Sequence, residues 1–175
     1  NKPLVRSIHE EYVAAGADVL ETNTFGANRV RLQHHGLAAK VASINQQGAR
    51  LARKAAGKKV FVAGSVGPLG KPADGAKELT AAEKQEVFRE QVVALATGGV
   101  DLFLLETFLD LEELLAAVRA ARAATDLPVI ASLAFFDVTG TTGGVPLLRA
   151  VRSLEAAGAH GVGVMNEIDH FCALI

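Results

Sequence analysis

Tryptophan is absent, and cysteine, methionine and tyrosine occur once each in 175 residues. The lone cysteine, Cys172, has no internal partner, so a disulfide-stapled fold is excluded and a reducing compartment fits. No apolar run approaches the ~20 residues that a membrane-spanning helix needs. No apolar segment of signal-peptide type follows the opening residues. The sequence therefore reads as cytoplasmic. Nor is there an excess of charge of one sign: 18 Lys and Arg stand against 19 Asp and Glu, a formal net of -1. Nucleic acids and anionic membranes select a basic stripe or tail. Here the basic residues are scattered, and the one small concentration, Gly57-Lys58-Lys59, is too short to be a patch. No nucleic-acid or membrane partner is expected.

What remains is a globular composition, 50% apolar and 21% charged, enough for one domain with a core. One pattern recurs along it. Ala15-Gly16-Ala17-Asp18-Val19-Leu20-Glu21-Thr22-Asn23 is followed by Gly98-Gly99-Val100-Asp101-Leu102-Phe103-Leu104-Leu105-Glu106-Thr107, and then by Ala157-Gly158-Ala159-His160-Gly161-Val162-Gly163-Val164. Each copy ends a helical pattern on a glycine, which takes the left-handed conformation at a helix stop. Each then runs into a short apolar stretch, the signature of a strand buried on both faces. Two further apolar runs, 59–65 and 128–135, lack the lead-in. Five strands are predicted, starting near Val19, Val60, Leu102, Val129 and Val162.

Helical patterns separate them, at 3–15, 38–56, 81–97, 111–124 and 146–157. Leu4, Ile8 and Val13 lie near one stripe of the first, with Tyr12 beside it. Thr80 with Glu83 forms a capping-box pattern. Asp110 caps a helix whose first turn holds Glu112 and Glu113, where the helix dipole favours negative charge. Pro146 opens the last helix. Strands alternating with helices at this spacing imply parallel pairing with right-handed crossovers. The fold class read is α/β: a partial (β/α)8 TIM-type barrel of about five βα units, spanning 1–175 as a single unit, with strands of a full barrel missing at both ends. The architectural alternative is an open doubly wound sheet, but its glycine-rich phosphate turn is not visible. The polar segments 67–79 and 137–145 are long for βα connections and are read as functional or mobile. An incomplete barrel leaves sheet edges open, so self-association through them is expected.

In parallel βα folds ligands bind at the carboxyl ends of strands. Those ends here read Glu21-Thr22-Asn23-Thr24-Phe25-Gly26-Ala27-Asn28, Gly64-Ser65-Val66-Gly67-Pro68, Glu106-Thr107-Phe108 and Phe135-Phe136-Asp137. Carboxylate, amide and hydroxyl groups gathered on one rim suit a small polar molecule bearing an amine. Glu106 closes four apolar residues, so its carboxylate needs a cationic partner. A substrate ammonium and an Arg or Lys of a neighbouring loop are both open. Asn28 is read as a helix cap, and Ser65 either as a ligand contact or as turn chemistry. His34 and His35 read as solvated, and His9 as a surface or packing residue. Glu167, Asp169, His170 and Cys172 lie close together, but their spacing matches no standard zinc pattern. No Ser-His-Asp or Cys-His arrangement is evident.

The stretch from Ala15 to Asn28 resembles the AGAD-x-[IL]-x-TNTFGAN segment of homocysteine S-methyltransferases. Ala63-Gly64-Ser65-Val66-Gly67-Pro68 is similar to their G-S-[IVL]-G-P segment. Residues 101–110, with Glu-Thr-Phe inside, resemble D-x-[ILF]-x-x-E-T-x-x-D, and 128–136 resemble P-V-x-x-S-[LF]-[TA]-F. The resemblance implies a barrel that binds homocysteine beside a thiolate-ligated zinc. In that family the metal favours the thiolate of the substrate, which takes a methyl group from methylcobalamin, S-methylmethionine or a betaine; a cobalamin or folate donor is not specified by this sequence. The family residue that meets the substrate amino group corresponds to Glu106. The substrate-binding set implied is Glu106, Thr107, Asn23, Thr24, Phe25 and Ser65. The family's zinc cysteines have no counterpart: the place of the first reads Met165-Asn166-Glu167. The expected metal-ligand set is therefore empty. The alternative to an enzyme domain is a non-catalytic βα-barrel fragment, a small-molecule or assembly module without the metal site.

Overall fold

The computed structural model describes residues 1–72, 77–134 and 143–165. In chain order these form α1 (Lys2–Ala14), β1 (Val19–Glu21), α2 (Arg29–Gln33), a single 3-10 turn (Ala38–Lys40), α3 (Val41–Ala56), β2 (Phe61–Val66), α4 (Ala81–Gly98), β3 (Leu102–Phe108), α5 (Leu111–Ala124), β4 (Val129–Ala134), α6 (Leu147–Ala156) and β5 (Gly161–Met165). The strands make one sheet in sequence order, β1-β2-β3-β4-β5, and every neighbouring pair is parallel. This is the expected partial TIM-type architecture. The five strand starts fall within a residue of those read from the sequence.

Local chemistry explains the helix boundaries. Thr80 and Glu83 complete the capping box of α4, and Asp110 accepts from the Glu113 amide at the start of α5. The single helix expected over 38–56 is instead a 3-10 turn followed by α3. Asn28 caps the short α2 through the Arg31 amide, as read.

The sheet packs its helices on one face. Leu20, Val62, Val66, Phe103, Leu105, Val129, Ala131 and Leu133 join α3, α4, α5 and α6 in one core. On the opposite face Val19 is 46% and Phe61 60% exposed, and Leu102, Leu104 and Ile130 are only half-buried. The expectation of strands buried on both faces therefore holds for β2 beyond its first residue and elsewhere mainly on the helix side. Among the described residues nothing lies against the concave face. The stripe of α1 departs likewise: Leu4, Ile8 and Tyr12 are exposed, while His9 is the buried residue of that helix. Part of the stripe, Ile8 and Tyr12, lines an open groove of about 510 Å³ along the free edge of β1.

At the amino ends of the strands the fourth residue of the recurring motif has a structural task. Asp101 accepts from the Val62 amide at 2.7 Å and pairs with Arg53. His160, in the same motif position, accepts from the Val129 amide through Nδ1 at 3.1 Å. A carboxylate and an imidazole thus tie their strands to the preceding one in the same way. Arg53 also donates to the carbonyls of Gly57, Val60 and Gly99, gathering two helix-to-strand turns at this stability-bearing end.

Candidate substrate-binding rim

Strand alternation decides what reaches the concave face. Glu21 pairs in register with Ala63, and Ser65 pairs with Leu104. Residues Glu21, Ser65 and Glu106 therefore sit on the concave side at the carboxyl ends of β1, β2 and β3. Ser65 is buried and donates its hydroxyl to Glu106 Oε1 at 2.5 Å. The loop contact that turn chemistry would have given Ser65 is not what the structure shows; the residue lies inside β2.

Glu106 is half-buried, and among the described residues no Lys or Arg pairs with it. Its neighbours are Ser65 and the carboxyl group of Glu21, with which it shares a hydrogen bond. Desolvation at the strand end pushes the Glu21 carboxyl above its usual range, and the charge and hydrogen bond of Glu106 push it the same way.

Thr107 has φ of +60°, the one described non-glycine residue on that side of the Ramachandran map. Between Leu105 and Phe108, β3 has one residue more than β4 opposite it. This is a β-bulge, and bulges re-aim side chains beside functional sites. Glu106 and Thr107 occupy it. Phe108 then returns to the helix side, where its ring meets Phe88 at 5.8 Å.

The Thr-Asn-Thr-Phe stretch mostly serves Ser65. The Ser65 amide donates to Thr22 Oγ1 at 3.0 Å, and Thr24 Oγ1 donates to the Ser65 carbonyl at 2.8 Å. The two threonine hydroxyls are 2.6 Å apart. With the Thr24 proton committed to the carbonyl, Thr22 donates to Thr24. The ring of bonds fixes both backbone groups of Ser65 and so aims its hydroxyl. Gln91 of α4 donates to the Thr24 carbonyl at 2.8 Å from a fully buried position.

Of the residues read from the sequence, Glu106, Thr107 and Ser65 come together on the rim. Asn23 is exposed just beyond the end of β1. Thr24 is directed into the Ser65 network. Phe25 packs on Gly67, where a Cβ would stand 2.4 Å from the ring, and the Arg31 guanidinium covers the ring at 5.7 Å. Phe135, Phe136, Asp137, Glu167, Asp169, His170 and Cys172 lie outside the described residues. Sequence reasoning missed Glu21 and Thr22 as contributors. The signal for Thr22 was a hydroxyl pair two residues apart at a strand end, where buried donors must find acceptors.

Three or more His, Cys, Asp or Glu side chains able to hold a metal do not come together anywhere among the described residues.

Comparison with known proteins agrees with this geometry. Residues 1–166 match the homocysteine S-methyltransferase family. The methionine synthase of Mycobacterium leprae is 34% identical over 173 residues, covering 92% of this chain and 14% of that protein. The Escherichia coli homocysteine methyltransferase MmuM, in its metallated form, superposes with a TM-score of 0.83 at 28% identity, covering 94% of this chain and 63% of its own. The carboxyl transferase domain of Rhizobium etli pyruvate carboxylase shares the fold alone, with a TM-score of 0.58 at 14% identity over 94% of this chain and 24% of its own. The chain thus spans under two thirds of these relatives. With a family match along residues 1–166, the chain belongs to the homocysteine S-methyltransferase family.

Proposed function

We propose that the protein binds homocysteine on this rim and accepts a methyl group on its sulfur, forming methionine. In that reaction a sulfur–carbon bond forms as the methyl–donor bond breaks, and the thiol proton is lost. The observation that carries the reading is Glu106: a half-buried carboxylate at a strand end, oriented by Ser65, with no Lys or Arg partner among the described residues. A substrate ammonium supplies the missing charge. MmuM, by its description, is a homocysteine methyltransferase, and its fold places the same strands together.

Zinc is implied by the family, where it lowers the cost of ionising the substrate thiol. The described residues do not fit that group, since no ligand cluster forms among them, and no step proposed here runs through it. The methyl donor is read as a separate small molecule or carrier, with cobalamin- and folate-borne methyl groups as the candidates. We place the protein in the cytoplasm; no described helix is long and apolar enough to cross a membrane. We also read the chain as one part of a homocysteine-binding barrel, with self-association through its open sheet edges.

Homocysteine titration tests the reading. Glu106→Gln keeps shape but removes charge, and a partly buried charge-assisted hydrogen bond contributes roughly 1.5–3 kcal/mol. Affinity should fall about ten- to a hundred-fold, and Glu106→Ala should be at least as severe. Unchanged affinity in Glu106→Gln would make the residue structural.

A further inference from the structure

Glu21 has no part in the reading so far, yet it is the nearest ionisable group to Glu106. It ends β1, with β2 between it and β3, strands that stand roughly 10 Å apart, and by register it is level with Leu102, on the approach to Glu106. Two glutamate side chains bridge that gap because the intervening residues on this face, Ala63 and Ser65, are small. Their carboxyl groups are hydrogen-bonded. No Lys or Arg among the described residues neutralises either one. Glu21 is exposed toward the open edge, so an incoming ligand reaches it directly.

We propose that Glu21 is a second contact for the substrate ammonium, forming with Glu106 a two-carboxylate clamp. This rests on the reading of Glu106 as the ammonium site. An ammonium has three N–H donors and no acceptor. One carboxylate already receiving Ser65 leaves room for a second acceptor, and Glu21 supplies it. Where Glu21 is protonated the charges balance: that carboxyl beside one carboxylate carries -1 in total, and the bound state carries two carboxylates, one ammonium and the same net charge, with the Glu21 proton released to solvent. Because the Glu21 carboxyl is held above its usual range and an adjacent ammonium favours its charged form, binding releases a proton as pH falls toward that raised range, and affinity rises with pH there. The other titratable side chains facing this edge are His9 and Tyr12 of α1, which line the same groove. From β2 come Phe61, Ala63 and Ser65, and the buried face of α3 presents Asn45 and alanines, none titratable.

L-Norleucine is the probe: it carries the α-ammonium but no thiol, so no sulfur proton is counted. Calorimetric titration in buffers of different ionisation enthalpy gives protons released per ligand bound. The protein should release protons at pH values just above 4.5, whereas Glu21→Gln should release fewer and bind norleucine about three- to ten-fold more weakly. Any proton exchange by His9 persists in both proteins, so the difference reports Glu21. Glu21→Asp, which keeps the charge, should recover part of both effects. Equal affinity and equal proton release in Glu21→Gln overturn the clamp. If Glu106→Gln alone weakens binding, the ammonium site stands and the clamp falls. If neither substitution matters, or the protein binds no norleucine, both readings fall.

Discussion

His9 shows how a single buried side chain ties this fold to pH. It is 7% exposed, and its Nδ1 has no hydrogen-bond partner. Burial lowers its pKa from the usual 6.5, opposed in part by a hydrogen bond with the Leu51 backbone. A lowered folded value means that the unfolded chain takes up the proton first. Stability from this residue is therefore complete above about pH 6.5 and declines as pH falls through the window below it. Thermal midpoints measured from pH 7.5 to 5 should drop more steeply for the protein than for His9→Leu; parallel curves would refute the assignment. The same residue marks a limit of sequence reading. Its position on an amphipathic helix left surface and packing both open, and only the tertiary fold decides between them. Glu106 was legible because a charge after four apolar residues is costly wherever it lands. Glu21 was not, because its importance comes from a neighbour 85 residues away in sequence.

Helices pack here by close approach as much as by apolar area. A Cβ on Gly98 would lie 2.5 Å from the Ala49 Cβ and 3.0 Å from the Gln46 carbonyl oxygen, so α3 and α4 meet where neither has a bulky side chain. Gly98→Ala should force the helices apart and cost about 1–3 kcal/mol, despite the better helix propensity of alanine. In a chain of this size the thermal midpoint should fall by roughly 2–12 °C. Thr97→Ala, on the exposed side of the same turn, should stay within about 0.5 kcal/mol. A neutral Gly98→Ala would show that the helices can slide. Element boundaries were largely visible beforehand, because caps are local: Thr80 with Glu83, and Asp110, act within one turn. The short α2 was implied only by its cap. The exposure of α1 could not be read, since an amphipathic stripe announces a partner without saying whether one is present.

A whole molecule with one covered sheet face and one bare one is an arc of a barrel, and this orders its chemistry. Polar groups gather at one end of the strands and structural ties at the other. That polarity followed from the repeated helix–glycine–strand pattern. The bare face did not, because apolar runs look alike whether one side or both are covered. At this scale belongs the metal. No ligand cluster forms among the described residues, so protein washed with chelator and dialysed against zinc should retain well under one equivalent by elemental analysis. Near-stoichiometric zinc would locate ligands in 166–175, where His170 and Cys172 stand.

The bulge in β3 has a bearing on how such a sequence can drift. A strand is written in two alternating directions, and inserting one residue ordinarily reverses everything downstream. Here Leu105 and Phe108 both face the helices, separated by two residues instead of one. The surplus at Thr107 is absorbed in its left-handed backbone, so the phase of the strand is the same before and after it. A lineage that lost this one codon would keep every core side chain on its proper side and would change only how far the carboxylate of Glu106 reaches. At this point of the chain, length variation acts on ligand geometry while leaving the packing code intact.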